Sequence, residues 1–289
     1  MKPLYFLATI GIGLLLTLSV PQKTEAQTNQ LRVMTYNIRY DNPDDAPNNW
    51  DNRKAKVANL IQFYQPAFLG TQEALFHQLN YLDKQLPDYH WIGQGRTDGK
   101  KEGEFSALLY DSRKVELIAQ SDSTIWLSET PEKPSKSWDA ALPRILTWGK
   151  FTVKETGQPI YAFNTHFDHI GEKARQESAK IIIDTIQKIA GDAPVVLTGD
   201  FNITEESIPY QILSSSFLRD SYYASKTSPV GPDFTFSGFE VSEISEHRRI
   251  DYIFANSAIT VARTAIISSF NRGYYPSDHL PVISDIIIK

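Results

Sequence analysis

The segment VVLTGDFNI (195–203) ends an apolar, β-branched run on a carboxylate and a carboxamide, Asp200 and Asn202, one residue apart. The pattern recurs along the chain. The apolar segment 33–36 ends on Asn37, segment 67–71 on Gln72 and Glu73, and segment 160–163 runs into Asn164 and His166. Asp251 sits at the start of the apolar segment 250–254, and Ser277, Asp278 and His279 precede the last one. Such groups bind hard cations, move protons and hydrogen-bond anionic oxygens. Sheet proteins assemble active sites from strand ends that meet over one edge. Taken singly, each group has an ordinary reading. Asp–x–Asn after a strand is a common turn or helix cap; Glu73 could cap the next helix, Asp251 could be an ion-pair partner, and Ser–Asp–His could be a turn. Together they demand six coincidences. His166 and His169 stand three apart, but without a helical HExxH context that spacing does not indicate a zinc pair.

These groups need elements to position them. LRVMTYNI (31–38) alternates as a strand does, and 52–64 carries Val57, Leu60, Ile61 and Tyr64 at helical spacing. A buried strand is expected at 67–73, a helix at 76–86 closed by Pro87, and strands near 90–94, 105–110, 114–120 and 123–128. Segments 144–153 and 159–167 read as a hairpin turned at KETGQ, and 172–190 is the clearest amphipathic helix. After the strand at 195–199 comes an irregular stretch rich in serine and aromatics, then strands at 249–255, 260–268 and 281–289. No linker or repeat divides residues 27–289, and the mixture of strands and helices predicts one α/β domain of stacked sheets with helices outside.

Composition narrows the classes. With 29 Lys+Arg against 34 Asp+Glu the chain carries a net charge of −5, so long-range attraction to nucleic acid is not built in. No cysteine is present, which excludes disulfides, thiolate nucleophiles, cysteine zinc sites and lipoprotein acylation. Residues 1–26 have Lys2, an apolar run to Val20, and the small residues Thr24 and Ala26 where cleavage is expected. This is the pattern of a secretory signal peptide, with an uncleaved membrane anchor as the alternative. A secreted or periplasmic protein with no membrane span after cleavage is expected.

The motifs MTYNIR, GTQE, NTHFD, LTGDFN, RRIDYIF and SDHLPV, in that order over residues 31–283, resemble the endonuclease/exonuclease/phosphatase superfamily of metal-dependent phosphoesterases. The resemblance implies a four-layer sandwich of two mixed β-sheets packed face to face with helices on both outer sides. It also implies a divalent ion, Mg²⁺ with Mn²⁺ as a substitute, and in-line attack of water on phosphorus. By resemblance, Glu73, Asn37 and Asp278 hold the metal, Asp200 activates the water, and Asn202 donates to a phosphate oxygen. His279, paired with Asp251, stabilises developing charge, and His166 is a second phosphate contact. Arg144, just before a strand, is a candidate phosphate contact or a salt-bridged arginine, and Asp168 and His169 read as structural.

The substrate is less legible. Loops 93–104 and 126–143 are expected to face it, with Trp126 and Trp138 as stacking platforms for a base or sugar. The leading expectation is a phosphodiesterase or nuclease acting on phosphate esters such as nucleic-acid fragments, with no protein partner. The alternatives are a phosphomonoesterase on a small sugar or inositol phosphate, and a phospholigand-binding module without turnover. No nucleophile elbow supports a serine esterase.

Overall fold

The computed structural model describes Met1 and residues 30–241, 248–270 and 273–289; the signal-peptide expectation at 1–26 therefore falls, Met1 aside, outside the described residues. The elements run β1 (Gln30–Asn37), α1 (Trp50–Tyr64), β2 (Phe68–Gln72), α2 (Phe76–Gln85), β3 (Tyr89–Ile92), β4 (Leu108–Asp111), β5 (Val115–Trp126) and β6 (Ile145–Val153). They continue β7 (Pro159–His166), α3 (Glu172–Ala190), β8 (Val195–Asp200), α4 (Ile208–Ser214), β9 (Arg219–Asp220), α5 (Ser221–Ala224), β10 (Asp251–Ala255), β11 (Ile259–Ile266) and β12 (Val282–Ile288). One six-stranded sheet has the order β11-β12-β1-β2-β4-β3 and the other β5-β6-β7-β8-β10-β9. Each contains one parallel pair, β1 with β2 and β7 with β8. A parallel pair needs a long crossover, here α1 and α3.

Period-two alternation builds the layers. On β1, Met34 and Tyr36 join Val57, Ile61, Leu79 and Leu82 under α1 and α2, while Leu31 and Val33 face the other sheet. On β8, Val195 and Leu197 pack with Ala179, Ile182 and Ile186 of α3, while Val196 faces inward. Three apolar layers result, giving the expected four-layer sandwich. Each fully buried Val, Leu, Ile or Phe side chain contributes roughly 1.5–3 kcal/mol to holding them together.

The inner face of the central strands changes character along its length. Val33, Thr35 and Asn37 share one face of β1; Phe68, Gly70 and Gln72 share one on β2; Ala162, Asn164 and His166 on β7; Val196, Thr198 and Asp200 on β8. Each series runs from apolar to a small or hydrogen-bonding residue, and three of the four end on a group placed in the site by the motifs. In the middle zone, Gln72 donates to Asn164 Oδ1 at 2.7 Å and to Thr35 Oγ1 at 3.1 Å, tying the two sheets. Asn164 donates to the carbonyls of Thr71 and Ala107 at 2.8 and 2.9 Å, so this strand-end amide is a structural tie between sheets.

Gly70 lets the sheets approach there. A methyl at this position would overlap Thr198 Oγ1 and Asn164 Oδ1 and lie 2.7 Å from Asn164 Cγ. Gly70→Ala is expected to destabilise the fold by about 1–3 kcal/mol, because an overpacked buried contact must be relieved by shifting polar ties. Chemical denaturation should show a lower midpoint at unchanged slope; an unchanged midpoint would mean the sheets separate at little cost.

The sequence-based boundaries differ in two places. The two strands expected at 114–120 and 123–128 form the single β5, whose register shifts between Leu117 and Asp122 around Gln120 at φ 59°. The irregular stretch contains α4, with Ser207 as N-cap and Pro209 in the first turn, and the short β9 and α5. These elements are too short to show periodicity. Among the described residues no helix is long and apolar enough to cross a membrane.

Candidate active site

The ends of β1, β2, β7, β8 and β10 open into one cleft of about 530 Å³. Its lining includes Glu73, His166, Asp200, Asn202, Asp278, His279 and Arg144, and Asn37 and Asp251 lie directly behind. The eight residues singled out by the motifs thus meet, with Arg144, at one end of the sandwich.

Asn37 is fully buried at the centre. Its Nδ2 donates to Glu73 Oε1 at 3.0 Å and Asp200 Oδ2 at 2.9 Å, and lies 3.4 Å from His279 Nε2. Its Oδ1 accepts the Arg39 N–H at 3.0 Å. In this orientation Asn37 spaces two carboxylates, and its amide must turn to offer oxygen to a cation. Glu73 follows β2 in the left-handed region, φ 61°, and this bend carries it out of strand alternation. Such a conformation is strained for a residue with a Cβ and persists where its surroundings hold it. The Tyr40 N–H donates to Glu73 Oε2 at 3.2 Å, and Arg39 stands 3.7 Å from both Glu73 and Asp278.

Asp200 and Asn202 do share the cleft, but strand alternation is not the reason. β8 ends at Asp200, whose Oδ1 accepts the Asn202 N–H at 3.0 Å, and Asn202 adopts φ 49°. A local carboxylate-capped turn, in a conformation asparagine tolerates, aims the amide. Asn202 Nδ2 donates to the Phe167 carbonyl at 3.1 Å, which fixes its orientation, and meets His166 Nε2 at 3.2 Å. His166 Nε2 is therefore an acceptor, and its proton sits on Nδ1, toward Glu104 at 3.8 Å. Burial, then Arg144, pushes the His166 pKa well below that of a free imidazole, so the ring is neutral.

His279 is the opposite case. Its Nδ1 lies 2.8 Å from Asp251 Oδ2, and its Nε2 3.7 Å from Asp200 Oδ2. Burial works against a charged ring here, but Asp251 and then Asp200 outweigh it, and the pKa stands well above the usual value. Asp200 is pushed up to about 7 by burial and then by the Asp251 charge. A carboxylate poised near neutrality can accept a proton from water and release it again.

The donor set suits a hard divalent cation. Oxygens of Glu73 and Asp200 and a His166 nitrogen lie within 4.8 Å of one another. Burial raises the pKa of Asp278 and of Glu104, and repulsion from Glu73 adds to both. Arg39 and His279 offset only part of the charge of Glu73, Asp200 and Asp278, and crowded buried carboxylates are the environment a Mg²⁺ or Mn²⁺ ion relieves.

Several cleft residues escaped the motif reading: Arg39, Tyr40, Glu104, Phe236, Arg248 and His169. Glu104 closes loop 93–104 and is held by Arg96 at 2.6 and 2.8 Å. Phe236 packs edge-on against His279, with ring centroids 5.2 Å apart. Arg39 closes the first motif and Arg248 opens the fifth, so a signal was available for both. The others arrive from loops whose paths only the fold defines. The tryptophans do not act as stacking platforms: Trp126 is buried with its indole N–H donated to the Arg96 carbonyl at 2.8 Å, and Trp138 lies outside the cleft lining.

The Endonuclease/Exonuclease/phosphatase family model matches residues 34–279. The chain is similar to the crystal structure of an endonuclease/exonuclease/phosphatase family protein from Bacteroides thetaiotaomicron, at 37% identity and TM-score 0.87, over 91% of this chain and 100% of that one. It is equally similar in sequence, 37%, to a mannosyl-6-phosphatase of the same organism, at TM-score 0.84 over 89% and 100% of the two chains. The D. rerio TDP2 complexed with single strand DNA product superposes at TM-score 0.70 with 18% identity, over 89% and 98%, a likeness of fold alone. With the family model covering the motifs from β1 to His279, the chain belongs to the endonuclease/exonuclease/phosphatase family, and it is a phosphoric ester hydrolase of that family.

Proposed function

We propose that this chain is a metal-dependent phosphomonoesterase acting on small, polar phosphorylated molecules, sugar phosphates first among them. The observation that carries this reading is the cleft: about 530 Å³, walled by Leu142, Arg144, Phe236 and Arg248, sized for a sugar phosphate. The 37% identity to a mannosyl-6-phosphatase supports it. Trp126 and Trp138, expected as stacking platforms for a base or sugar, do not line the cleft. With residues 1–26 read as an export signal, the reaction takes place outside the cytoplasm.

Glu73 and Asp278, with Asn37 beside them, would hold a divalent cation, which would supply charge neutralisation at the phosphate. The chain's own groups do the rest. Asp200 takes a proton from the attacking water. His279, kept cationic by Asp251, stabilises the charge that develops on the phosphate oxygens. Asn202 exchanges its bond to His166 for one to a phosphate oxygen, and His166 borders the same oxygen.

Turnover with Mg²⁺ of mannose 6-phosphate and p-nitrophenyl phosphate, set against bis(p-nitrophenyl) phosphate and a short oligonucleotide, tests the reading. Monoesters should be favoured by at least about tenfold in kcat/KM, roughly 1.4 kcal/mol. Preference for either diester would replace this proposal with the phosphodiesterase reading. Glu73→Gln should raise the half-activating Mg²⁺ concentration at least about tenfold, since it removes one charge from a hard-oxygen site. An unaltered Mg²⁺ requirement would show that Glu73 is not a ligand.

A further inference from the structure

The loop 126–143 is built as a fixed platform. Ser128 and Ser135 hydroxyls bond at 2.6 Å, the Glu129 N–H donates to Ser137 at 3.0 Å, and Asp139 accepts the Lys173 and Ala174 N–H groups at the start of α3 at 3.1 and 2.7 Å. Asp168 completes the clamp. It accepts the N–H groups of Ala141 and Leu142 at 3.1 Å and those of Ile170 and Gly171 at 3.0 and 2.8 Å. Burial opposes ionisation of Asp168, but these four donors outweigh it and hold its pKa at about 2.

Arg144 emerges from this platform into the cleft wall and is only 4% exposed. Its Nη2 donates to His169 Nδ1 at 3.0 Å. Its Nε is 3.5 Å from Asp168, whose oxygens are already engaged, and Nε and Nη1 have no hydrogen-bond partner among the described residues. Buried guanidinium donors left unpaired are costly, so they call for an acceptor. A guanidinium only donates, so His169 Nδ1 must carry the lone pair and Nε2 the proton. The exposed His169 ring lines the cleft. Burial and then Arg144 lower the His169 pKa, so the ring keeps this neutral form.

The result is a rigid corner offering donors and a positive charge. Arg144 also packs beside His166, Glu104 and Arg96 in a narrow recess next to the cleft, so its charge lies beside His166, a phosphate contact in the mechanism proposed above. A phosphate monoester carries a third non-bridging oxygen and a second negative charge, where a diester carries a carbon substituent. We infer that Arg144 and His169 form the subsite that reads the terminal phosphate oxygen and so select monoesters over diesters. This rests on the phosphatase reading above.

The test uses the full enzyme at saturating Mg²⁺, with Arg144→Met, Arg144→Lys and His169→Ala, on p-nitrophenyl phosphate and bis(p-nitrophenyl) phosphate. Arg144→Met should lose about 100-fold in kcat/KM on the monoester and less than about tenfold on the diester, as expected for loss of charged hydrogen bonds specific to one substrate. Arg144→Lys should recover part of the monoester loss, because it restores charge but not the planar fork. His169→Ala should lower the monoester-to-diester ratio in the same direction. The inhibition constant of inorganic phosphate should rise in Arg144→Met and His169→Ala. Equal losses on both esters, or unchanged phosphate inhibition, would overturn the inference. Should Arg144→Met fail to fold, the exposed His169 position and phosphate inhibition still decide it. A wild-type preference for diesters would sink the phosphatase reading instead, and the change of ratio in the variants would judge the subsite separately.

Discussion

Asp200→Asn is expected to leave no more than about one-thousandth of wild-type turnover and, without metal, to melt at a higher temperature than wild type. Both effects come from one carboxylate. In the proposed mechanism Asp200 deprotonates the attacking water, and it stands within 2.9 Å of Asn37 and 3.4 Å of His166 Nε2. Asparagine keeps the shape and cannot take the proton. The stability effect follows from the raised pKa. The folded-state value of about 7 stands above the ordinary 3.8, so the folded state holds a proton that the unfolded chain has released between those two values. Stability of the metal-free protein therefore falls as pH rises through that window, and the full cost is present above pH 7. An amide bears none of it. The variant forfeits attraction to His279, which Asp251 continues to supply at 2.8 Å. Melting curves in chelator at pH 5 and pH 8 should show a gap between variant and wild type that widens at pH 8. A gap that shrinks with rising pH would show that Asp200 is not held uncomfortably as an anion, and near-wild-type turnover would remove it from the mechanism.

His279→Ala is the second large loss, roughly 10²- to 10⁴-fold in kcat, because a cationic donor aimed at the phosphate disappears. Asp251→Asn should be nearly as damaging and more informative. Asp251 is the strongest influence raising the His279 pKa, and without it burial pulls the value down. The variant's imidazolium is then lost as pH rises through the neutral range, while wild type retains it. Residual activity of Asp251→Asn should accordingly decline between about pH 6 and 8, the ordinary range of a histidine, more steeply than wild type. Histidine proton resonances of the metal-free variants, followed across the same range, report the pKa directly. Parallel pH profiles for Asp251→Asn and wild type would mean that Asp251 orients the ring without setting its charge.

Much of this site was readable from residue type and order. The six motifs fall at strand ends because the inner faces of β1, β2, β7 and β8 run from apolar residues to polar ones, and period-two alternation makes that run visible in one dimension. The amphipathic α3 and the two βαβ units, β1-α1-β2 and β7-α3-β8, follow from the same periodicities. The composition, without cysteine, already turned the chemistry toward oxygen and nitrogen ligands.

Tertiary structure decided what pattern cannot encode. Arg39, Glu73 and Asn202 reach the cleft through left-handed backbone conformations, which no propensity predicts for an arginine or a glutamate. Asn164 has the type and spacing of a site residue, yet it faces across the sandwich and ties the two sheets. Trp126 was expected at the substrate and is instead a buried strut of loop 93–104. Arg144 became informative only when its neighbours were known: Asp168 is spent on four backbone donors, and His169 accepts from the guanidinium. The protonation states of Asp200, His166 and His279 likewise depend on burial and on partners such as Asn37, Arg144 and Asp251, distant in the chain from the groups they act on. Alternation is a local property and survives in the sequence. Charge state, orphaned donors and left-handed turns are set by contacts between distant segments, and those exist only once the sheets have packed.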